Sequence, residues 1–307
     1  NVTYQVVYDV NIDSIVRLGQ NQDGIIEFIN VGSNITFECT DLEMTGGDPN
    51  VIMVENAGSD VHTFRVKGDI TMDAGSANTF DLSSSGTNVI LELGGNSGTN
   101  SVTDNAGITM DLYKIVMNKG NDLTSSFTFP NSFTITDPSI SSVQSIEILN
   151  GLLILDDPGA DITLTNATTG SLNLPNTSNA SSSSGSGGLE ISQGTVRVEG
   201  DDTGIILDGL LNISGGTLDM ASGAGNGNNF IEYSSSGFSE IQISDGTLEV
   251  GSQIRRNLTS TTGILNYSQS GGSLRVGVNS APESTRGVFE LLNSGSSFSH
   301  SGGDFTI

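Results

Sequence analysis

The sequence predicts an all-β fold: a single-stranded parallel β-helix or closely related β-solenoid, right-handed, with variable Gly/Ser/Asn-rich loops. Three observations carry this. One short phrase is written five times in the last third of the chain, apolar residues alternate with polar ones inside each copy, and no segment offers the 3.6-residue period of a helix. The copies are Ile191-Ser-Gln-Gly-Thr-Val-Arg-Val198, Ile213-Ser-Gly-Gly-Thr-Leu-Asp-Met220, Ile243-Ser-Asp-Gly-Thr-Leu-Glu-Val250, Tyr267-Ser-Gln-Ser-Gly-Gly-Ser-Leu-Arg-Val276 and Phe298-Ser-His-Ser-Gly-Gly-Asp-Phe-Thr-Ile307. Aligned on Gly194, Gly216, Gly246, Gly272 and Gly303, they step by 22, 30, 26 and 31 residues. Unequal steps around a constant strand phrase describe coils that stack while their loops vary. The glycine supplies either positive φ or room for a closely approaching backbone. A β-sandwich with several similar strands is the competing architecture.

Taken in order, the chain opens with strand-like runs at Val2–Val10, Ile12–Leu18, Gly24–Ile29 and Asn34–Cys39, separated by short polar turns that leave no room for helices. Tyr4, Val6, Tyr8 and Val10 share one phase, which predicts a core face. Cys39 is in phase with Ile35 and Phe37, the setting of a small buried hydrophobe, and as the single cysteine it cannot form an internal disulfide. Strand phrases continue at Val51–Glu55, His62–Gly68, Asp69–Gly75, Thr79–Leu82, Val89–Leu93 and Ala106–Gly120. Ser126–Phe129, Ser132–Thr136, Ile146–Leu155 and Ile162–Leu164 carry the series onward. Residues 175–188 have a linker's composition and read as a long loop or a domain boundary, and Ala221–Asn229 as a second loop. Because strand grammar is the same on both sides, residues 1–307 are expected to form one continuous solenoid section. The start at Asn1 and the stop inside a repeat predict a section of a longer protein.

Composition narrows function more than it names it. Ten basic residues against 35 acidic ones give a net charge of −25, which repels phosphate backbones and argues against a nucleic-acid partner. No apolar run approaches the length of a membrane span. Trp is absent and aromatics are 6%, which weakens the case for a sugar-stacking platform.

The phrases Val66-Lys-Gly-Asp-Ile-Thr-Met-Asp-Ala-Gly75, Asp111-Leu-Tyr-Lys-Ile-Val-Met-Asn-Lys-Gly120 and Ile213–Met220 resemble the repetitive β-solenoid regions of very large bacterial surface and secreted proteins exported by the type IX secretion system. More loosely they resemble autotransporter passengers and filamentous adhesins. The resemblance covers most of the chain and implies an extracellular or cell-surface stalk, adhesin or filament element. Expected partners are surface glycans or other surface proteins, with the secretion machinery in transit. It carries over no functional residues.

Two further readings follow from the same fold. One is a β-helical carbohydrate-active enzyme, a polysaccharide lyase or glycoside hydrolase. The paired carboxylates Asp156-Asp157 and Asp201-Asp202 supply the residue type for acid/base hydrolysis. Both pairs sit beside turn residues, however, and the Asn-Thr-Asp, Gly-His-Gly and Arg-Ile-Lys elements of polygalacturonase-like enzymes are missing. Arg255-Arg256, the single basic doublet, reads as a solvated loop. His62 is placed just ahead of a strand and His300 in a turn, and neither anchors a triad or a histidine-rich metal site. No catalytic residue is therefore assigned. The other reading is a phage or viral fibre segment, which predicts a trimer. The one cofactor expectation is calcium at Asp156, Asp157 and Asp161, three carboxylates in six residues with hard oxygen ligands.

Overall fold

A computed structural model describes residues 2–19, 23–46, 50–55, 60–73, 78–84, 87–105, 107–108, 110–130, 132–136, 145–165, 172–174, 187–199, 204–221, 229–233, 238–257, 262–279 and 286–307. All its regular elements are strands, and they stack in three parallel columns. The first column runs from Val2–Val6 through Gly24–Ile29, Asn50–Glu55 and Thr79–Phe80. An Asp81–Asp111 bridge carries it to Met110–Leu112 and Phe133–Thr136. It continues through the ends of Ile146–Thr165 and Gly187–Glu199 to Thr217–Met220, Thr247–Val250, Ser273–Val276 and Asp304–Thr306.

The second column contains Val10–Ile12, Thr36–Cys39, Val61–Val66, Thr87–Leu93 and Lys114–Asn118, and reaches Ile254–Arg256. The third runs from Val16–Gly19 to Ser297–His300. Among the described residues one pairing is antiparallel, Ser83–Ser84 against the start of Thr87–Leu93. Parallel pairing between successive coils excludes the sandwich, whose neighbouring strands run antiparallel.

The five-copy alignment is the structural register. Thr195 pairs with Thr217, Thr217 with Thr247, Thr247 with Ser273, and Ser273 with Asp304. Val196, Leu218, Leu248 and Leu274 form one inward column, each buried. Gly194, Gly246, Gly272 and Gly303 take positive φ, between 61° and 84°. Gly216 is the exception: it is held by proximity, since a Cβ there would stand 2.6 Å from Ile191 Cγ2 and 2.8 Å from Gln193 carbonyl oxygen. Each later anchor presses on the one before: a Cβ on Gly246 would lie 2.1 Å from Gly216 O, and one on Gly303 2.4 Å from Gly272 O.

Inside, the columns close around one apolar core in which Phe37 meets Phe64 edge-on at 5.6 Å between centroids and Cys39 is fully buried. Burial pushes the Cys39 thiol up to about 12, so it behaves as the hydrophobe its phase predicts.

Outside, scarce cations sit in register with carboxylates of neighbouring coils. Arg17 faces Glu43, Arg65 faces both Glu38 and Glu92, Arg255 faces Glu232, and Arg275 faces Glu249. Each of these pairs closes as an ion pair at 2.5–3.2 Å. Opposite charges directly across neighbouring strands contribute roughly 0.2–1 kcal/mol each and penalise a slipped register. Corner aspartates do related work. Asp9 accepts the Thr36 amide, Asp41 the Asp69 amide and Asp69 the Ser101 amide, each reaching to the following coil. Part of the acidic excess is therefore structural capping.

Four local expectations change. Of the first run's proposed core face only Val6 is buried. Tyr4 and Tyr8 are 41% and 62% exposed: Tyr8 lies beyond the strand, which ends at Val6, and Tyr4 meets the core only edge-on at Phe37. His62 lies within Val61–Val66 and is fully buried, not ahead of the strand. Its Nδ1 accepts the Ile35 amide and its Nε2 bonds Ile29 O, so a neutral ring completes two backbone contacts that an aliphatic residue would leave open. His300 ends the strand Ser297–His300 instead of sitting in a turn, its ring edge-on to Phe305. Arg255 and Arg256 belong to a strand, with Arg255 lying 4.0 Å over the Phe230 ring, because Glu232 one coil below supplies its counter-charge.

Candidate functional site

The carboxylates singled out for calcium lie where the strand Ile146–Thr165 bulges. Asp156 pairs with Gln193 and Asp161 with Thr195, so residues 157–160 answer a single residue, Gly194, on the neighbouring coil. Asp156 Oδ1 accepts hydrogen bonds from Ser192 Oγ (2.6 Å) and Gln193 Nε2 (2.8 Å). Asp157 accepts from Ser132 Oγ through one oxygen and from the Gly159 amide through the other. The Asp161 side chain lies outside the described residues, as do Asp201, Asp202, most of the 175–188 loop and residues 222–228 of the second loop. Among the described residues no group of three or more His, Cys, Asp and Glu side chains gathers as a metal site.

A different place gathers polar chemistry. On the outer corner after the second column, an open cleft of about 760 Å³ crosses successive coils of the N-terminal half. No aliphatic or aromatic side chain lines it. At its centre is a four-member charge network. Arg65 donates to Glu38 Oε2 at 2.7 Å and to Glu92 Oε2 at 2.9 Å, while Lys67 Nζ reaches Glu38 Oε1 at 2.5 Å. The bond from Lys67, helped by Arg65, holds the Glu38 carboxyl below the usual carboxylate range despite its burial. Hydrogen bonds to Glu92 and Glu38 raise the Arg65 guanidinium above its already high ordinary value. Glu38 and Arg65 are therefore held charged at neutral pH, and the ion pairs fix the four side chains against one another.

Glycines open the space. The positions stacked after the strand ends read Thr40-Asp41, Lys67-Gly68, Gly94-Gly95 and Asn118-Lys119. Gly95, at φ 99°, leaves no room for a side chain: a Cβ would meet Lys67 O at 2.7 Å. Lys119 from the next coil reaches down over it and donates to Lys67 O at 3.3 Å. Lys119 is 2% exposed, and it forms no ion pair among the described residues. Burial lowers its pKa, opposed by the Asp69 carboxylate nearby. A buried ammonium held by one long hydrogen bond on the floor of a polar cleft is unusual for a purely structural lysine.

Sequence reading missed this site, although a signal was present. Glu38, Arg65 and Glu92 are each 27 residues apart. The same step aligns Phe37 with Phe64 and Cys39 with Val66. Because the stacked letters are complementary instead of identical, acid over base over acid, the period does not show as a repeated phrase.

The fold and cleft define this chain as a parallel β-solenoid with a polar lateral groove. Comparisons with protein-family models, curated proteins and solved structures returned no match.

Proposed function

We propose that the chain is an extracellular structural and adhesive β-solenoid module, a stalk, adhesin or filament element of a large bacterial cell-surface or secreted protein of the kind exported by type IX secretion. Residues 1–307 act in this reading as one solenoid section. The observation that carries it is the use of polar side chains on the faces. Registered ion pairs and corner aspartates tie coil to coil, as a spacer requires, while the described carboxylate pair Asp156-Asp157 is engaged by Ser132, Ser192 and Gln193. The module works mechanically: a continuous core keeps the coils stacked, and loops and lateral surfaces meet surface glycans or neighbouring proteins at a distance from the cell.

Antibodies raised against the chain are expected to label intact cells of the source organism, with the signal removed by external protease and lost when the secretion system is deleted. Labelling confined to lysed cells would sink the proposal. Release of reducing sugar or of unsaturated products from acidic polysaccharides would replace it with the enzyme reading.

A further inference from the structure

We infer that the lateral cleft binds a neutral, linear oligosaccharide laid parallel to the stacking axis. The inference deepens the adhesive reading, by giving it a ligand class and a place, and it rests on that reading.

The cleft's dimensions come first. From the level of Asp13, through Thr40, Lys67 and Gly94, to Asn118 there are four coil steps. At ~4.8 Å each they span ~19 Å along the axis. The opening is therefore a trough suited to an extended chain.

Its chemistry excludes most occupants. An apolar peptide finds no aliphatic or aromatic wall, whereas pockets for such ligands are lined mainly by apolar side chains. An anionic polymer meets four carboxylates, Asp13, Glu38, Asp41 and Glu92, against three cations, within a chain of net charge −25. Two of those cations, Arg65 and Lys67, are already neutralised by Glu38 and Glu92. A cation or cationic peptide meets the same two groups together with the buried Lys119 ammonium in the floor.

What remains is a surface of fixed donors beside fixed acceptors, with its charges nearly balanced. A hydroxyl is both donor and acceptor, so a polyhydroxylated chain can satisfy both kinds at once. The Lys119 ammonium has one bond to protein, to Lys67 O, and needs neutral oxygen partners more than another charge. Asn118 Oδ1 accepts a hydrogen bond from Asn150 Nδ2, which leaves the Asn118 amide nitrogen as a donor beside Lys119. The rigid network needs no rearrangement on binding, because Glu38, Arg65 and Glu92 are locked in place by one another.

The test is an array of immobilised neutral hexose and N-acetylhexosamine oligomers alongside uronic-acid and sulfated counterparts, followed by calorimetric titration of the hits. Three variants accompany the wild-type chain. Asn96→Trp fills the cleft from its exposed rim, Lys119→Met removes the floor ammonium with little change of shape, and Ser244→Trp places the same bulk on an exposed corner of the C-terminal coils. Each is first checked for an unchanged strand spectrum and melting curve. The expected result is binding of neutral oligomers, unaffected by added salt, at least tenfold weaker in Asn96→Trp and Lys119→Met and unchanged in Ser244→Trp. Should Lys119→Met fail to fold, Asn96→Trp alone decides. Binding confined to acidic oligomers, with affinity falling as salt rises, overturns the ligand class. No binding, or binding insensitive to Asn96→Trp, overturns the site. None of these outcomes depends on where the protein resides, so failure here is separable from failure of surface labelling.

Discussion

Replacing Gly246 with alanine tests the stacking of the C-terminal coils more sharply than any core truncation, because a matched control exists in the same chain. Gly246 and Gly32 have nearly the same φ, 71° and 75°. An alanine in this left-handed region costs roughly 1–2 kcal/mol wherever it is placed. The surroundings differ. Around Gly32 no atom lies within 4 Å of an added Cβ, whereas at Gly246 the Cβ would stand 2.1 Å from the carbonyl oxygen of Gly216. That oxygen is not free to retreat, since it accepts the Thr247 amide at 2.9 Å. Forcing the coils apart adds an overpacking cost of about 1–3 kcal/mol. Gly32→Ala is therefore expected to destabilise by about 1–2 kcal/mol and Gly246→Ala by about 2–5 kcal/mol. Urea titration followed by far-ultraviolet circular dichroism gives both values, and hydrogen exchange at Thr247 locates the damage, because solenoid coils lose stability locally. Equal destabilisation of the two variants, within about 0.5 kcal/mol, or undiminished protection of the Thr247 amide, would refute the stacking of Gly246 on Gly216.

Other outcomes follow from single groups. Burial lowers the pKa of His62 beneath its ordinary 6.5. The unfolded chain therefore takes up its proton first, so stability holds above pH 6.5 and falls as the pH drops below that value; His62→Gln should flatten this part of the profile, and a native profile already flat from pH 7 to about 5.5 would contradict the neutral, buried ring. Cys39 should resist thiol reagents in the native protein at pH 8 and react fully once the chain is unfolded; prompt native labelling would contradict its burial. Calcium at Asp156, Asp157 and Asp161 is decided by chelation. A bound ion gives a chelator-dependent drop in melting temperature that Asp157→Ala abolishes, and an unchanged melt assigns the Asp156 and Asp157 carboxylates to their protein hydrogen bonds alone.

The architecture was legible in the sequence where stacked residues are alike. Thr195, Thr217 and Thr247 repeat in letters because each directly follows a glycine at the same place in its coil, so letter alignment and strand register coincide. Legibility fades where stacking is complementary. Glu38, Arg65 and Glu92 occupy one column with alternating charge, and their 27-residue step is invisible to a search for identical phrases. It also fades where a polar residue takes an inward place. Gln269 stands in register with Ile243 and is 1% exposed, its amide donating to Asp304 O and its oxygen accepting the Tyr267 hydroxyl. Such a residue reads as a turn glutamine until its neighbours are known. The cleft combines both difficulties: registered charge pairs from separate coils, and a lysine whose burial depends on a glycine in the coil beneath it.

The central claim, that successive copies of the repeated phrase lie directly above one another in parallel register, is tested most directly by one distance. Nitroxide labels on cysteines at Arg197 and Thr306 sit in the same outward column, joined through Asp219, Glu249 and Arg275. The buried Cys39 thiol should leave the native protein labelled at these two sites alone. Four coil steps of ~4.8 Å place the two backbones ~19 Å apart. Double electron–electron resonance should give a single distribution centred near that value, broadened by the label tethers. A distribution centred beyond about 30 Å, or one with several separated maxima, would contradict the stacked register that those four steps of ~4.8 Å require.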